Sequence, residues 1–158
     1  MTRREIPLDA TAILRVFSEQ GVDYVVIGGV AVQAHGHPRT TQDIDIIPEP
    51  SPENLRRLAS ALSVLGARPV GSTSTSGVHL KLPAHGVLEL DTDAGGVDVH
   101  MTPAGAAPYV DLRRRALELD VLGLRLAVAG RDDLIAMKRA SGRPIDRGDI
   151  AALTEPGR

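Results

Sequence analysis

Two aspartates stand two positions apart inside an apolar run, in the stretch of residues 39–47. In an extended strand, successive side chains point to opposite faces, so Asp43 and Asp45 share one face while Ile44 and Ile46 share the other. Two negative charges about 6–7 Å apart on one face repel each other unless a cation lies between them. A half-exposed edge strand whose acidic face meets water has the same pattern. The stretch therefore predicts either a metal-binding strand or an ordinary edge strand.

The segment before this strand combines a buried strand with a glycine pair. Tyr24–Ile27 is a β-branched run that predicts a buried strand, and it leads directly into Gly28 and Gly29. The residues from Val30 onward favour a helix that ends near Gly36. Glycine allows an anion to approach closely, and the first turn of a helix offers free N–H groups. The arrangement predicts either a phosphate-binding turn or a tight turn without a ligand.

A later pair of strands carries further acids. Residues 87–93 and 97–101 alternate apolar and polar side chains around a glycine turn, which predicts a β-hairpin. Asp98 and His100 lie on the polar face of its second strand, and we expect Asp98 opposite Asp91 or Asp93. Like charges across a ladder are destabilising unless something compensates them. The hairpin therefore offers Asp98 as a third carboxylate on a later strand.

The remaining elements are predicted from helix caps and periodicity. Helices are expected after Asp9 and after Ser51-Pro52, with stops at Gly21 and Gly66. Further elements are a polar loop over 71–77, a strand over 78–82, a helix over 109–120, a strand over 122–128, a helix over 132–140 and a short helix over 146–153.

Length and composition limit the class of protein. A chain of 158 residues is expected to form a single domain, with a core over about 22–101 and a C-terminal helical part over about 108–153. Aromatic residues make up 2%, so the core must be aliphatic. The absence of cysteine excludes disulfides and thiolate sites. The net charge of -2 gives no overall nucleic-acid footprint, but the arginines at 113–115 could form a local basic patch, so composition neither supports nor excludes an RNA partner.

Neither a membrane anchor nor a signal peptide is expected. No apolar segment approaches the ~20 residues that a membrane-spanning helix needs. The N-terminus has two arginines but no apolar segment behind them. We therefore expect a cytoplasmic protein with no membrane partner.

Taken together, these motifs resemble the nucleotidyltransferase superfamily typified by DNA polymerase β. Its pattern is an apolar residue followed by Gly-Gly or Gly-Ser, a spacer, Asp-apolar-Asp, and a third acid on a later strand. Here Gly28 and Gly29 are followed by thirteen residues, then by Asp43 and Asp45, and later by Asp98. The resemblance implies an α/β (α+β) fold, in which a small mixed, twisted sheet is backed by helices.

The resemblance also implies a chemistry for these five residues. Nucleotidyl transfer uses Mg²⁺ or Mn²⁺, here two ions, which Asp43, Asp45 and Asp98 would hold. Asp98 would complete the second ion site or activate the acceptor hydroxyl. Gly28 and Gly29 would face the phosphates of a nucleoside triphosphate. Many members carry serine where Gly29 stands, so one phosphate contact must come from elsewhere.

Three more residues would contact the nucleotide, and two acids would support them. Thr41 would add a hydroxyl, and Arg39 or Lys138 would add a positive charge. Lys138 could equally be a solvated helix end. Asp146 and Asp149 would orient that lysine or cap the last helix.

The three histidines nearest these motifs are not expected to bind a metal. His35, His37 and His100 each favour a hydrogen bond or an exposed position over ligation. Zinc is therefore not implied.

Residues 39–45 and the tail over 134–150 are more narrowly similar to small bacterial nucleotidyltransferases, a branch that includes toxins of toxin–antitoxin pairs. This similarity implies an NTP such as ATP as donor, RNA such as tRNA or a protein as acceptor, and a cognate antitoxin as partner. One alternative is adenylylation of an aminoglycoside- or lincosamide-like antibiotic, against which the short chain counts. Another is a catalytically silent fold that binds a partner, against which the three retained acids count.

Overall fold

The structure, a computed structural model, describes residues 6–71 and 82–155. In chain order, their elements are α1 (Ala10–Glu19), β1 (Tyr24–Ile27), α2 (Gly28–Ala34), β2 (Asp43–Pro48), α3 (Pro52–Val64), β3 (Arg68–Pro69), β4 (Val87–Thr92), β5 (Gly95–His100), α4 (Tyr109–Arg115), β6 (Leu117–Val121), β7 (Leu124–Val128), α5 (Arg131–Ser141) and α6 (Pro144–Thr154).

The described strands form one mixed sheet in the order β3-β4-β5-β2-β1-β7-β6. β2 pairs antiparallel with β1 and parallel with β5. β1 also pairs parallel with β7, while β4 pairs antiparallel with β5. The predicted mixed sheet with helices is therefore confirmed. β2 and β5, which carry the three aspartates, lie side by side in its interior.

The core is aliphatic, as the composition predicts. Phe17 of α1 and Leu62 of α3 are fully buried, as are Ile44 and Ile46 of β2. Each such side chain contributes about 1.5–3 kcal/mol when it leaves water. Because both isoleucines of β2 point into this core, the alternation of the strand turns its two aspartates to the other face.

The predicted helix caps of α1 and α3 are confirmed. The Asp9 side chain accepts a hydrogen bond from the N–H of Ala12 at 3.1 Å. Ser51 Oγ accepts one from the N–H of Asn54 at 3.2 Å, directly before Pro52 at the start of α3. Such caps stabilise a helix by about 1 kcal/mol.

A buried asparagine joins α3 to the ends of two central strands. Asn54 is 1% exposed. Its Nδ2 donates to the carbonyls of Asp23 and Glu49, both at 2.8 Å, and its Oδ1 accepts from the N–H of Asp23 at 2.8 Å. These bonds hold the segment that enters β1 and the segment that leaves β2 together, which fixes the position of β2.

The helix predicted over 109–120 is wrong in its second half. α4 ends at Arg115, and β6 follows and pairs with β7 around the turn Leu122-Gly123. The reason lies in the period of the apolar residues: Leu117, Leu119 and Val121 alternate, which suits a strand. The region 108–153 is therefore not wholly helical.

The hairpin over β4 and β5 is present, but its turn is tighter than predicted. The strands reach Thr92 and Gly95, so Asp98 pairs with Glu89 rather than with Asp91 or Asp93. The Thr92 hydroxyl donates to the carbonyl of Gly95 at 2.6 Å and accepts from the N–H of residue 94, which closes the turn early.

Some predictions fall on other parts of the chain. Most of the polar loop over 71–77, most of the strand over 78–82, and the N-terminal residues 1–5 lie outside the described residues. Within the described ranges, none of the helices has both the length and the apolar composition needed to cross a membrane.

Candidate active site

The glycine pair lies where β1 runs into α2, and Gly28 is sterically required there, while Gly29 packs closely against its neighbours. Gly28 has φ +71, and a Cβ there would lie 2.8 Å from Cγ of Asp45. A Cβ on Gly29 would lie 3.0 Å from Nη1 of Arg39 and 3.2 Å from Oγ1 of Thr41. The turn is therefore packed directly against the acidic strand β2 and against two of the residues predicted to contact the nucleotide.

The three predicted carboxylates come from two adjacent parallel strands. Asp45 is in register with Asp98 of β5, and on its other side with Ile27 of β1. Asp43 is in register with Gly96. Asp98 is buried at 6% exposure, and Asp43 and Asp45 are partly buried. Hydrogen-bonded pairing on both sides of β2 thus places the acids next to one another.

His100 joins this acidic group. Its Nε2 lies 2.9 Å from Oδ1 of Asp45. One ligand atom each from Asp45, Asp98 and His100 lie within 4.8 Å of one another, so this set of oxygen and nitrogen donors fits a divalent cation. Asp43 lines the same cleft without belonging to this three-residue group. The expectation that His100 forms a hydrogen bond holds. Its place beside the acids was not predicted, although alternation puts it on the same face of β5 as Asp98.

A second wall of the same cleft carries buried positive charge. Lys138 of α5 is 6% exposed, and its Nζ donates to Oδ2 of Asp149 at 2.8 Å. Nη1 of Arg39 donates to the same oxygen at 2.9 Å. Asp149 of α6 therefore binds two cations, one from α5 and one from the loop before β2. Lys138 is not a solvated helix end.

Asp146 extends this network to Arg143. Its carboxylate is 1% exposed and lies 3.7 Å from Nζ of Lys138. Arg143 donates to it from Nε and Nη2, each at 3.1 Å, and from its backbone N–H at 3.0 Å. Burial by itself raises the pKa of Asp146, but the hydrogen bonds from Arg143 and Ser141 outweigh it, so the pKa lies below its ordinary value. Asp146 also takes part in the capping box that begins α6.

Thr41 already has a local partner. Its Oγ1 donates to the carbonyl of Asp43 at 2.9 Å. This bond holds the loop before β2 against the start of the strand, beside Gly29 and Arg39. Thr41 therefore helps to place Arg39 over the glycine turn.

These elements enclose a cleft of about 710 Å³. Nine of the ten predicted site residues line it, and the tenth, Asp149, acts on it through Arg39 and Lys138. The lining includes Gly28, Gly29, Arg39, Thr41, Asp43, Asp45, Asp98, Lys138 and Asp146 from the prediction, together with Glu89, His100 and Arg143. One wall is thus acidic and the other basic.

The other histidines near the site do not join it. His35 Nε2 lies 2.9 Å from the carbonyl of Ala129, a hydrogen-bonding role as expected. His37 Nε2 is buried and has no hydrogen-bond partner among the described residues. Within the described ranges, the group of Asp45, Asp98 and His100 is the one three-residue set with metal-ligand spacing.

Comparison with known proteins agrees with this geometry. A family model described as "Nucleotidyltransferase of unknown function (DUF6036)" matches residues 6–154. None of the curated proteins matches the sequence.

Several solved structures share the fold at low sequence identity. The lincosamide antibiotic adenylyltransferase LnuA, with lincomycin bound, aligns with a TM-score of 0.64 and 16% identity, over 94% of this chain and 98% of that chain. ANT(2")-Ia, in complex with adenylyl-2"-tobramycin, aligns with a TM-score of 0.59 and 15% identity, over 89% and 83%. A nucleotidyltransferase-like protein from Paracoccidioides brasiliensis aligns with a TM-score of 0.56 and 17% identity, over 93% and 77%.

Proposed function

This chain belongs to the DUF6036 family of nucleotidyltransferases, and we propose that it transfers AMP from ATP to a hydroxyl group of a small-molecule acceptor. The observation that carries the nucleotidyl-transfer part is the cleft itself. It joins the carboxylates of Asp45 and Asp98 on adjacent strands to the Gly28-Gly29 turn on one side and to buried Lys138 on the other.

The acidic wall is the part that fits divalent cations. Asp43, Asp45 and Asp98 would hold them, with carboxylate oxygens of the kind that Mg²⁺ and Mn²⁺ prefer. A bound divalent cation neutralises charge at the α-phosphate and favours an ionised acceptor oxygen. The close fit of Gly28 against Asp45 keeps the phosphate-binding turn next to these acids.

The basic wall binds the triphosphate. Lys138 and Arg39 both donate hydrogen bonds to the carboxylate of Asp149. Arg143 donates to the neighbouring carboxylate of Asp146. Positive groups held in place by buried carboxylates bind phosphate without first having to be ordered. Arg39 stands against Gly29, where many members of the superfamily carry serine, and it supplies the phosphate contact that glycine lacks.

The transfer step forms one bond and breaks one. The acceptor oxygen bonds to the α-phosphorus, and the bond from that phosphorus to the bridging oxygen of pyrophosphate breaks. Asp98 accepts the proton of the acceptor hydroxyl. Arg39, Lys138 and Arg143 offset the negative charge that develops on the departing pyrophosphate.

Two observations favour a small acceptor over RNA or protein. The alignment covers 98% of the LnuA chain, whose structure contains lincomycin. A chain of this length is therefore large enough for such an acceptor, and shortness no longer counts against the antibiotic alternative. The net charge of -2 gives no general attraction for RNA.

The test is a transfer assay with an open choice of acceptor. The purified protein is incubated with each α-³²P-labelled nucleoside triphosphate, Mg²⁺ or Mn²⁺, and cell extract separated into RNA, protein and small molecules. We expect label from ATP in the small-molecule fraction. Label in RNA or protein would move the acceptor to the macromolecules that the toxin-like tail suggests. No labelled product and no metal-dependent binding of any triphosphate would favour a catalytically silent protein.

Matched variants tie the activity to the acids. Asp45→Asn and Asp98→Asn keep the size of the side chain and remove its charge. We expect each to lower the transfer rate by about 10³-fold, since loss of several kcal/mol of charge stabilisation has that effect. Asp132→Asn changes an exposed acid on α5 and is the control. Transfer that survives in the Asp45 and Asp98 variants would contradict the proposed mechanism.

A further inference from the structure

A histidine lies at the centre of the acidic wall. His100 Nε2 is 2.9 Å from Asp45 Oδ1, and both side chains are largely shielded from solvent. His100 follows Asp98 by two residues in β5, so both side chains point to the same face of the strand. The proposed transfer step leaves this imidazole without a role.

The spacing of the three donor atoms fits one ion. Two neighbouring ligands at about 2.1 Å from an octahedral cation lie about 3 Å apart. The 2.9 Å between His100 Nε2 and Asp45 Oδ1 equals that separation, and the donor atom of Asp98 completes a set within 4.8 Å. The side chains are therefore arranged so that one cation would contact all three without a change of strand register.

We propose that His100 is an imidazole ligand of the ion held by Asp45 and Asp98, and that this site therefore prefers Mn²⁺ and Co²⁺ to Mg²⁺. The inference rests on the proposed function for the presence of an ion at these carboxylates. The predicted preference among cations follows from ligand chemistry and does not depend on the proposed reaction. Mg²⁺ favours oxygen ligands alone, whereas the affinity of first-row transition ions rises when an imidazole nitrogen joins the set.

A purely positioning role for His100 makes a different prediction. In that case the imidazole would orient Asp45 by a hydrogen bond and remain outside the coordination shell. Replacing it would then weaken the binding of all divalent cations alike. If His100 is a direct ligand, replacing it changes the order of preference among cations. The spectrum of the ion bound to the wild type then also shows a coordinated nitrogen.

The first measurement looks for that nitrogen. The full chain is loaded with Mn²⁺ and studied by electron spin-echo envelope modulation, which detects nitrogen bonded to the ion. We expect nitrogen modulation in the wild type and its loss in His100→Asn. A wild-type spectrum without nitrogen modulation would overturn the proposal, and this result does not depend on whether the variant folds.

The second measurement compares cation affinities by calorimetry, without nucleotide. We expect His100→Asn to bind Mn²⁺ about tenfold or more weakly, while its affinity for Mg²⁺ changes little. His100→Asp restores an oxygen donor and should reverse the preference in favour of Mg²⁺. His85→Asn, which changes an exposed histidine, is the matched control. Equal losses for Mn²⁺ and Mg²⁺ would leave His100 as a positioning residue and overturn the proposal.

The outcomes for the two proposals are separable. Absence of transfer with every cation, together with nitrogen-ligated Mn²⁺, would contradict the proposed function and keep the ligand assignment. Transfer activity without a nitrogen signal would support the proposed function and contradict the assignment of His100 as a ligand. Circular dichroism of each variant checks whether its fold is retained.

Discussion

Lys138 shows how a buried charge is kept in the cleft wall. Removing an ammonium from water costs several kcal/mol, which is repaid only by close opposite charges. Asp149 at 2.8 Å and Asp146 at 3.7 Å supply them. Each acid also holds an arginine, Arg39 or Arg143. The lysine is therefore fixed in position before any phosphate arrives, and it lines the cleft.

Replacing this lysine tests its contact with the triphosphate. We expect Lys138→Met to raise the KM for ATP by about 10–100-fold, because a hydrogen bond to a charged group contributes about 1.5–3 kcal/mol. Steady-state kinetics measures this. Arg139→Met, an exposed change on the same helix, is the control. An unchanged KM in Lys138→Met would show that this ammonium does not contact the nucleotide.

Asp146 gives the protein a predictable acid response. The folded protein holds its pKa below the ordinary value of 3.8, so the carboxylate stabilises the fold at pH values above 3.8. This stabilisation is lost as the pH falls through the lower, folded-state pKa. Asp146→Asn should therefore be less stable than wild type at neutral pH, and the difference should shrink as the pH approaches 3. Thermal unfolding from pH 7 to about pH 3 measures it. A difference that stays constant with pH would contradict this account.

The sequence indicates the candidate site residues better than it indicates which side chains they contact in the fold. The spacing of Asp43, Asp45 and Asp98 reflects local strand geometry, which the sequence displays. The shared oxygen of Asp149 depends on a loop and two helices that meet only in the folded chain. His100 carried a local signal, alternation with Asp98, but its bond to Asp45 depends on the pairing of β2 with β5.

At the level of elements, the β6–β7 hairpin contains a strained residue. Leu122 has φ +50, the one positive φ among the described non-glycine residues, and its side chain is 78% exposed. A left-handed conformation costs about 1–2 kcal/mol for a leucine and less for asparagine. We expect Leu122→Asn to raise the free energy of unfolding by about 0.5–1 kcal/mol, since asparagine before glycine suits a two-residue hairpin turn.

Denaturant unfolding of the purified variant measures this change. Val110→Asn, which alters another exposed apolar side chain in α4, controls for lower surface hydrophobicity. If both variants gained the same stability, turn strain would not be the cause.

The elements that the sequence predicts well are those with local signals. α1 and α3 begin at the predicted caps, because a cap involves neighbours in the chain. β6 was missed because its alternating leucines follow directly after a helical stretch, and nothing nearby marks the boundary except Ala116. The order of strands in the sheet has no local signal at all.

At the scale of the whole molecule, the carboxylates of β2 and β5 line one cleft together with the cationic side chains of Arg39, Lys138 and Arg143. A metal-bound triphosphate needs both groups, because its cation binds carboxylates and its phosphates bind positively charged side chains. ATP with Mn²⁺ should therefore bind the folded protein and not the unfolded chain. At about 100 times the dissociation constant, this adds about 2.7 kcal/mol to the free energy of unfolding. Unfolding in the presence and absence of ligand measures the gain. Asp45→Asn should lose it, and a gain retained in that variant would separate nucleotide binding from the acidic wall.

The parallel pairing of β2 with β5 also has a kinetic consequence. Asp45 and Asp98 are in register across this pair, although α3, β3 and β4 lie between the two strands in the chain. Pairing strands so distant in sequence is slow, because the loop between them must close first. A cation cannot find its ligands until that closure is complete. We therefore expect bound ions to leave the refolding rate unchanged and to slow unfolding, so that the metal prolongs the lifetime of the native state.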